Sequence, residues 1–275
     1  MAVMFALVKW VAGQGVPLFQ TVFFRNAFAF IPLGLYIARS GGVRILRTSR
    51  IGGHLVRAGV GLTGMVCGFA AVRALPLTEA TALSFTAPLF MTALSALILK
   101  EHVGLHRWAA VGVGFLGVVI MINPDPAHMA AHAAGTLLGL GGAMGAAGAM
   151  IAIRQIAATE PGPRIVFYFT LCGTLLGLAS APFGWVMPAP AALAALVAAG
   201  LIGGVGQLLL TQALRVAPVA VVAPFDYTQL IWASLIGFAV WEETPRPATL
   251  VGAGVVALSG LYIVYREARQ RTRGS

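Results

Sequence analysis

Apolar residues in this chain run in stretches long enough to cross a bilayer, parted by short segments that hold most of the charge. A membrane-spanning helix needs about 20 mostly apolar residues. The sequence supplies such runs at 17–38, 56–74, 78–99, 107–122, 135–153, 164–184, 191–214, 218–241 and 247–265. The pattern predicts nine full spans. Residues 1–12 make a tenth, but Met1 to Val8 is too short to cross the hydrocarbon before Lys9 intervenes. Either that first helix is clipped at its start, or its missing turn belongs to a longer natural N-terminus. It does not read as a signal peptide, because no basic segment precedes the apolar run and no small-residue cleavage site follows it.

The pattern also repeats. AVRALP at 71–76 and ALRVAP at 213–218 are one phrase at an offset of 142 residues, the separation of Arg73 from Arg215. The offset holds without a gap through Gly61/Gly203, Gly64/Gly206, Glu101/Glu243 and Gly112/Gly254. Two homologous halves of five spans each are expected, 1–122 and 135–265, joined by a linker at 123–134 and followed by a basic tail at 266–275. Five is odd, so the second half enters the membrane from the opposite face. The predicted fold class is an all-α polytopic membrane protein whose ten transmembrane helices form two inverted five-helix repeats. Membrane proteins so built place a solute site between their halves, near the bilayer midplane.

Composition fixes the solvent. The chain is 59% hydrophobic and 9% charged, with mean hydropathy +0.90, where an ordinary soluble domain is about a quarter charged. A net charge of +10 would suggest nucleic acid in a soluble protein, but here position matters more. With both termini cytoplasmic, the inner segments receive Arg39, Arg44, Arg47, Arg50, Arg57, Lys100, Arg107, Arg154, Arg164, Arg215, Arg266, Arg269, Arg271 and Arg273. Only Lys9, Arg25, Arg73 and Arg246 fall towards the outside. The positive-inside rule sets this orientation in a bacterial-type inner membrane. Arg39–Arg57 then reads as a topology determinant that also touches anionic lipid, and no nucleic-acid partner is expected. The linker carries no Lys or Arg and should lie outside.

Chemistry must come from polar residues inside the spans. Intramembrane acids are expensive and are read as functional by default, and Asp226 is the one acid placed well inside a predicted span. It is the first candidate for a cation or proton site, the alternative being a structural acceptor or a partner for Arg73 or Lys9. Glu79 begins span four and is the second coupling candidate, whereas Glu101, Glu242 and Glu243 end helices where water can solvate them. Thr81, Ser84, Pro88, Thr92 and Ser95 follow at steps of three or four, one polar stripe down span four. Pro88 frees a carbonyl in that span and Pro224 does so in span nine, which is tolerated at depth where protein or a water-filled cavity satisfies it. Such a stripe either lines a cavity or glues helices together. The aromatic candidates are Phe23 and Phe24, Phe85, Tyr168, Tyr227 and Trp232, with Phe85 and Tyr227 mates at the repeat offset. With Gln207 and Gln229 they would bind a flat or cationic solute by stacking and cation–π attraction. The glycine pairs Gly64/Gly68, Gly135/Gly139 and Gly141/Gly145, and the Gly112/Gly114/Gly117 set, read as internal helix packing.

Several functions lack their residues. No phosphate-binding loop of the GxxxxGK[ST] type is present, so ATP is not expected to drive the protein directly. His128 and His132 lack the glutamate of a zinc-protease motif, and Cys67 and Cys172 sit in separate spans. No metal, cofactor or catalytic residue is expected, and the chain does not read as an enzyme.

These residues together resemble a known family. Phe23-Phe24-Arg25 opening span two, Leu75-Pro76 before Ser84-Phe85-Thr86-Ala87-Pro88, Glu101 before a glycine-rich fifth span, and Pro218 with Phe225-Asp226-Tyr227-Thr228 and Glu243 are similar to the drug/metabolite transporter superfamily, specifically its ten-helix tandem EamA-type members. The resemblance implies a secondary transporter working by alternating access, with spans four and nine and parts of one, three, six and eight lining its cavity. Members move amino acids, toxic cations, vitamins and S-adenosylmethionine in either direction. The stretches at 225–228 and 84–90 look most like the S-adenosylmethionine or riboflavin uptake branch, while the overall plan fits amino acid exporters. The expected partners are thus a small solute, the lipid bilayer and a coupling proton. The solute is an amino acid or amino-acid-like compound, with S-adenosylmethionine, riboflavin or a cationic drug as the alternative. A non-transporting scaffold or sensor would need an output domain, and the tail at 266–275 is too short to be one. The substrate-binding residues expected are Phe24, Thr81, Ser84, Phe85, Pro88, Gln207, Asp226, Tyr227, Gln229 and Trp232.

Overall fold

A computed structural model describes the backbone of residues 1–40, 42–98, 100, 103–122, 126–157, 159–216 and 219–271, and within its helices leaves aside the side chains at 126–131, 211, 214–216, 219–225 and 267–271. The described residues are helical throughout their regular parts: α1 Ala2–Gly13, α2 Leu18–Arg39, α3 Ile51–Ala74, α4 Leu77–Ser84, α5 Ala87–Ile98, α6 Leu105–Ile122, α7 Pro126–Ala157, α8 Gly162–Ala179, α9 Pro190–Val216, α10 Val219–Trp241 and α11 Pro247–Arg271, with a 3₁₀ turn at Gly42–Leu46. Proline marks the starts. Pro17, Pro76 and Pro161 precede α2, α4 and α8, and α7, α9 and α11 begin on one. At these positions the missing N–H costs nothing and the fixed φ suits the first turn.

Among the described residues, eight segments are long and apolar enough to cross a membrane, with α4 and α5 counted as the single span Leu77–Ile98. The shorter apolar α1 and the 23-residue apolar α10 stand beside them. The protein is an all-α polytopic membrane protein. Several boundaries differ from the sequence pattern: α8 ends at Ala179 rather than 184, and α11 runs on to Arg271, into the segment read as a tail. Helix α3 starts at Ile51 and α7 at Pro126, each at least a turn earlier than the apolar run, because a helix continues past the hydrocarbon while its backbone bonds propagate. Most of the segment read as a linker is therefore helical, and its residues 123–125 lie outside the described residues. So do Glu101, Pro218 and the tail beyond 271, and the side chains of Pro224 and Phe225. Predicted span four is broken at Phe85–Thr86 into α4 and α5.

Packing follows the duplication. By the 142-residue offset α2 corresponds to α8, α3 to α9, α4 to the start of α10, and α6 to α11. The pairs α6·α11, α2·α8 and α4·α10 are in contact, so repeat-related helices meet across a common axis. Other contacts come in matched sets, α2·α9 with α8·α3 and α3·α7 with α9·α1. Among the described residues the α3·α7 contact is the most extensive, and glycine permits it. A Cβ on Gly64 would lie 2.9 Å from Gly145 Cα, and one on Gly142 would lie 3.0 Å from Gly68 Cα. The α6·α11 crossing is as close, since a Cβ on Gly117 would lie 2.9 Å from the Gly252 carbonyl oxygen. Small residues let backbones approach where no hydrophobic force separates helix from lipid. Gly112, in contrast, faces open space.

Gly64→Val and Gly145→Val are each expected to destabilise the protein by about 1–3 kcal/mol through overpacking, seen as earlier thermal unfolding in detergent. Gly112→Val should unfold with the wild type. Equal effects at all three positions would contradict the crossing.

Candidate functional site

Within the bundle lies a cavity of about 320 Å³. Its longest walls are α3 and α7, and α1, α2, α4, α8 and α9 complete it. Small residues of α3 and α7, among them Gly61, Gly68, Gly142 and Ala146, hold the space open. Met4, Phe5, Met65, Phe69 and Leu210 make most of it apolar. The polar exceptions are Arg25 of α2, Arg57 of α3, Ser84 of α4 and Gln207 of α9.

The arginines correct the expected charge distribution. Arg57 was assigned to an inner loop and Arg25 to the outer side, yet they are 4% and 5% exposed. Helix α3 begins six residues before Arg57 and α2 seven before Arg25, which carries both side chains about two turns into the bundle. Both guanidinium groups lie over the ring of Phe169, Arg57 at 3.9 Å and Arg25 at 5.8 Å from its centroid. Arg25 Nη1 donates to Asn26 Oδ1 at 3.0 Å, while Asn26 Nδ2 donates to the Val22 carbonyl at 2.8 Å and so is fixed in orientation. Arg25 Nε, Arg57 Nε and Arg57 Nη1 are buried without a hydrogen-bond partner. The signal that could have flagged Arg25 was already legible, since a basic residue well inside a span is as exceptional as Asp226.

Of the residues expected from sequence to bind solute, Ser84 and Gln207 line the cavity. Phe85 and Tyr227 do come together, but against each other, with centroids 4.9 Å apart and planes at 67°. Phe85 is buried, and the Tyr227 hydroxyl is buried without a partner beside Gly260. Phe24 stacks on Phe28 at 6.0 Å and meets Phe23 edge-on, and Trp232 is exposed on the outer surface of α10. Thr81 is fully buried, Pro88 and Gln229 are half-buried, and Asp226 is exposed. None of these lines the cavity, and among the described residues α10 contributes nothing to it. Glu79 is 9% exposed and accepts a 3.4 Å hydrogen bond from Thr249, so it is packed against α11. The polar stripe of span four is divided by the break. There Ser84 Oγ donates to the Thr81 carbonyl at 2.6 Å and Thr86 Oγ1 to the Leu83 carbonyl at 2.7 Å.

Two polar clusters tie helices at opposite ends of α3. At its C-terminal end Lys9 of α1 forms an ion pair with Glu243 and donates to the Leu75 carbonyl at 2.8 Å, and Glu243 Oε2 accepts the Leu77 N–H at 2.8 Å. Glu243 was expected in water; its side chain is only 19% exposed because Lys9 and the α4 N-terminus close over it. At the N-terminal end of α3, Glu160 accepts from Thr48 at 2.9 Å and from Arg164 at 2.8 Å, and pairs with His54 Nε2 at 3.1 Å. Burial pushes the Glu160 carboxyl up. The hydrogen bonds from Arg164, His54 and Thr48 and the Arg164 charge outweigh it and hold the group below its ordinary value. Among the described residues no group of three His, Cys, Asp or Glu side chains could hold a metal ion.

The described helices form a polytopic membrane bundle that holds a solute-sized chamber. The chain belongs to the EamA-like transporter family, whose model matches residues 1–123 and 133–266. It is 31% identical over 259 residues to the pseudopaline exporter CntI of Pseudomonas aeruginosa strain UCBPP-PA14, covering 94% of this chain and 89% of that one. It is 29% identical to a riboflavin transporter of Vibrio cholerae, over 98% of this chain and 92% of the relative. With an S-adenosylmethionine uptake transporter of Rickettsia prowazekii the identity is 28%, over 90% and 83%. One solved crystal structure overlays with a TM-score of 0.68 at 20% identity, covering 98% of this chain and 96% of its own, and shares the fold.

Because the Glu160 carboxyl is depressed in the folded protein, its stabilisation is complete above the ordinary value of about 4.3 and is lost as the pH falls through the lower folded value. Glu160→Gln should lower stability by about 1–3 kcal/mol near neutral pH and flatten the acid limb of a plot of unfolding temperature against pH. An acid limb identical to that of the wild type would remove Glu160 from the account.

Proposed function

We propose that this protein is a secondary transporter of the inner membrane, with both termini cytoplasmic, that carries small amino-acid-like metabolites by alternating access. The observation behind this reading is the cavity of about 320 Å³ between the two halves, at the lower end of small-molecule sites. Its apolar walls and few polar groups suit an amphipathic solute. The clusters at the two ends of α3 supply the closures that alternating access requires, since either could part while the other holds. S-adenosylmethionine and riboflavin stand as the second reading, supported by the names of two relatives. A cationic drug fits poorly, because the described lining includes two guanidinium groups and no carboxylate.

For coupling, Asp226 is the better candidate than Glu79, because its exposed carboxylate can exchange a proton while that of Glu79 is packed under Thr249. Asp226→Asn is expected to abolish pH-driven accumulation while leaving exchange of solute across the membrane partly intact. An Asn variant that still builds a gradient with the wild-type pH dependence would exclude it.

The transport reading is tested in proteoliposomes with radiolabelled amino acids, S-adenosylmethionine and riboflavin, where at least one amino acid should show counterflow. Counterflow of riboflavin alone would favour the second reading. Orientation is tested in a variant lacking Cys67 and Cys172. A cysteine at Ser49 should resist impermeant thiol reagents in intact cells, and one at Ala131, whose side chain lies outside the described residues, should react. The reverse pattern would invert the topology.

A further inference from the structure

Two buried cations facing one cavity demand an explanation. Arg25 and Arg57 approach the same Phe169 ring at 5.8 and 3.9 Å, so their guanidinium carbons are at most 9.7 Å apart, the sum of those distances. At that separation, inside a membrane, like charges repel strongly unless something of opposite sign lies between them. No acidic side chain is among the described residues of the wall. Phe169 offers its π face, which offsets part of the charge. It cannot accept the in-plane hydrogen bonds of Arg25 Nε, Arg57 Nε and Arg57 Nη1, all buried and unpartnered.

The setting is built for these two side chains. A Cβ on Gly61 would lie 2.9 Å from Arg57 Nη1 and 3.2 Å from the Phe169 ring. One on Gly203 would lie 2.9 Å from Met4 Sδ and 3.1 Å from Arg25 Nε. Gly61 and Gly203 are mates at the repeat offset, so each half gives up one side chain at the same place to seat one arginine. Asn26 is pinned by the Val22 carbonyl and holds Arg25 Nη1, leaving Nε on the other edge of the fork.

We infer that Arg25 and Arg57 form a carboxylate-binding pair, so that the solute presents one carboxylate to two guanidinium groups and lays an apolar body against Phe69, Met65 and Leu210. This rests on reading the cavity as the solute site. A planar guanidinium matches a carboxylate with two parallel N–H···O bonds, and such charge-assisted bonds are the strong ones. A lone monoanion on two cations leaves net positive charge, which the polar Ser84 and Gln207 and the Phe169 ring can bear.

The full chain, purified in detergent, is heated with each of the twenty L-amino acids and, separately, its carboxamide, and with S-adenosylmethionine, riboflavin and inorganic phosphate. At least one free acid should raise the unfolding temperature of the wild type while its amide does not. Arg25→Gln and Arg57→Gln should each require roughly tenfold or more of that acid for the same shift. Arg57→Lys should recover part of the loss, because the ammonium keeps the charge without the fork. In the wild type, which needs no variant to fold, the same acid should slow modification of Arg57 by phenylglyoxal, located by mass spectrometry. Acid and amide acting alike, no acid acting on the wild type, phosphate or riboflavin acting alone, or unchanged acid binding in both glutamine variants would each overturn the pair. Binding that survives while proteoliposome transport is absent would instead remove the transport reading and leave the pair standing. Transport that persists without preference for acid over amide would do the opposite.

Discussion

Hydrocarbon offers no hydrogen-bond partner, so every backbone N–H and C=O inside the bilayer must be satisfied by protein, and this constraint organises the molecule. It makes each described span a helix and dictates how the break within span four is tolerated. Between α4 and α5 the ladder tightens at Phe85–Thr86, where the two backbone N–H groups turn to the Ala82 and Leu83 carbonyls at 3.1 Å, and the Thr81 carbonyl left behind takes the Ser84 hydroxyl at 2.6 Å. Ser84, Thr86 and Thr92 thus serve the backbone first. Only Ser84, at the end of α4, is left facing the cavity. The same constraint turns association into a matter of backbone proximity, which is why glycines meet at α3·α7 and α6·α11.

Charge obeys a harsher version of the rule, and the protein handles it differently by depth. Near the ends of α3, Lys9 has Glu243 and Arg164 has Glu160. Each pair also satisfies backbone groups, Leu75 and Leu77 in one case and Ile45 in the other. Removing one partner of such a pair leaves a buried charge exposed to no water and costs more than the pair contributes. In the middle, Arg25 and Arg57 have an aromatic face and one amide oxygen, and no carboxylate among the described wall residues. The contrast between neutralised ends and a cationic centre marks the cavity as a place where the missing anion is supplied from outside.

Span number, the 142-residue duplication and glycine-mediated packing were legible because each depends on local composition or on a repeat that sequence displays directly. The site was legible only in part. Offset arithmetic correctly paired Phe85 with Tyr227, but a shared axis brings mates face to face, so the two rings fill each other's contact surface instead of opening a slot between them. Arg57 was obscured by a helix that begins before its apolar run, and Arg25 by counting charges per loop rather than per depth. Glu243 became a buried partner because Lys9, 234 positions away in sequence, folds back onto it. No local pattern announces such a contact.

In an inverted repeat each contact in one half has a mate in the other. Here the mates are unequal at the outset. Gly64 of α3 meets the backbone of Gly145 in α7, whereas its mate Gly206 in α9 meets the Met1 side chain of α1. The position equivalent to Gly145 in the first half is Val3, which is 50% exposed. The glycine-on-glycine crossing that joins α3 to α7 therefore has no counterpart at the matched place between α9 and α1, and the two repeat-related contacts are unequal in this structure.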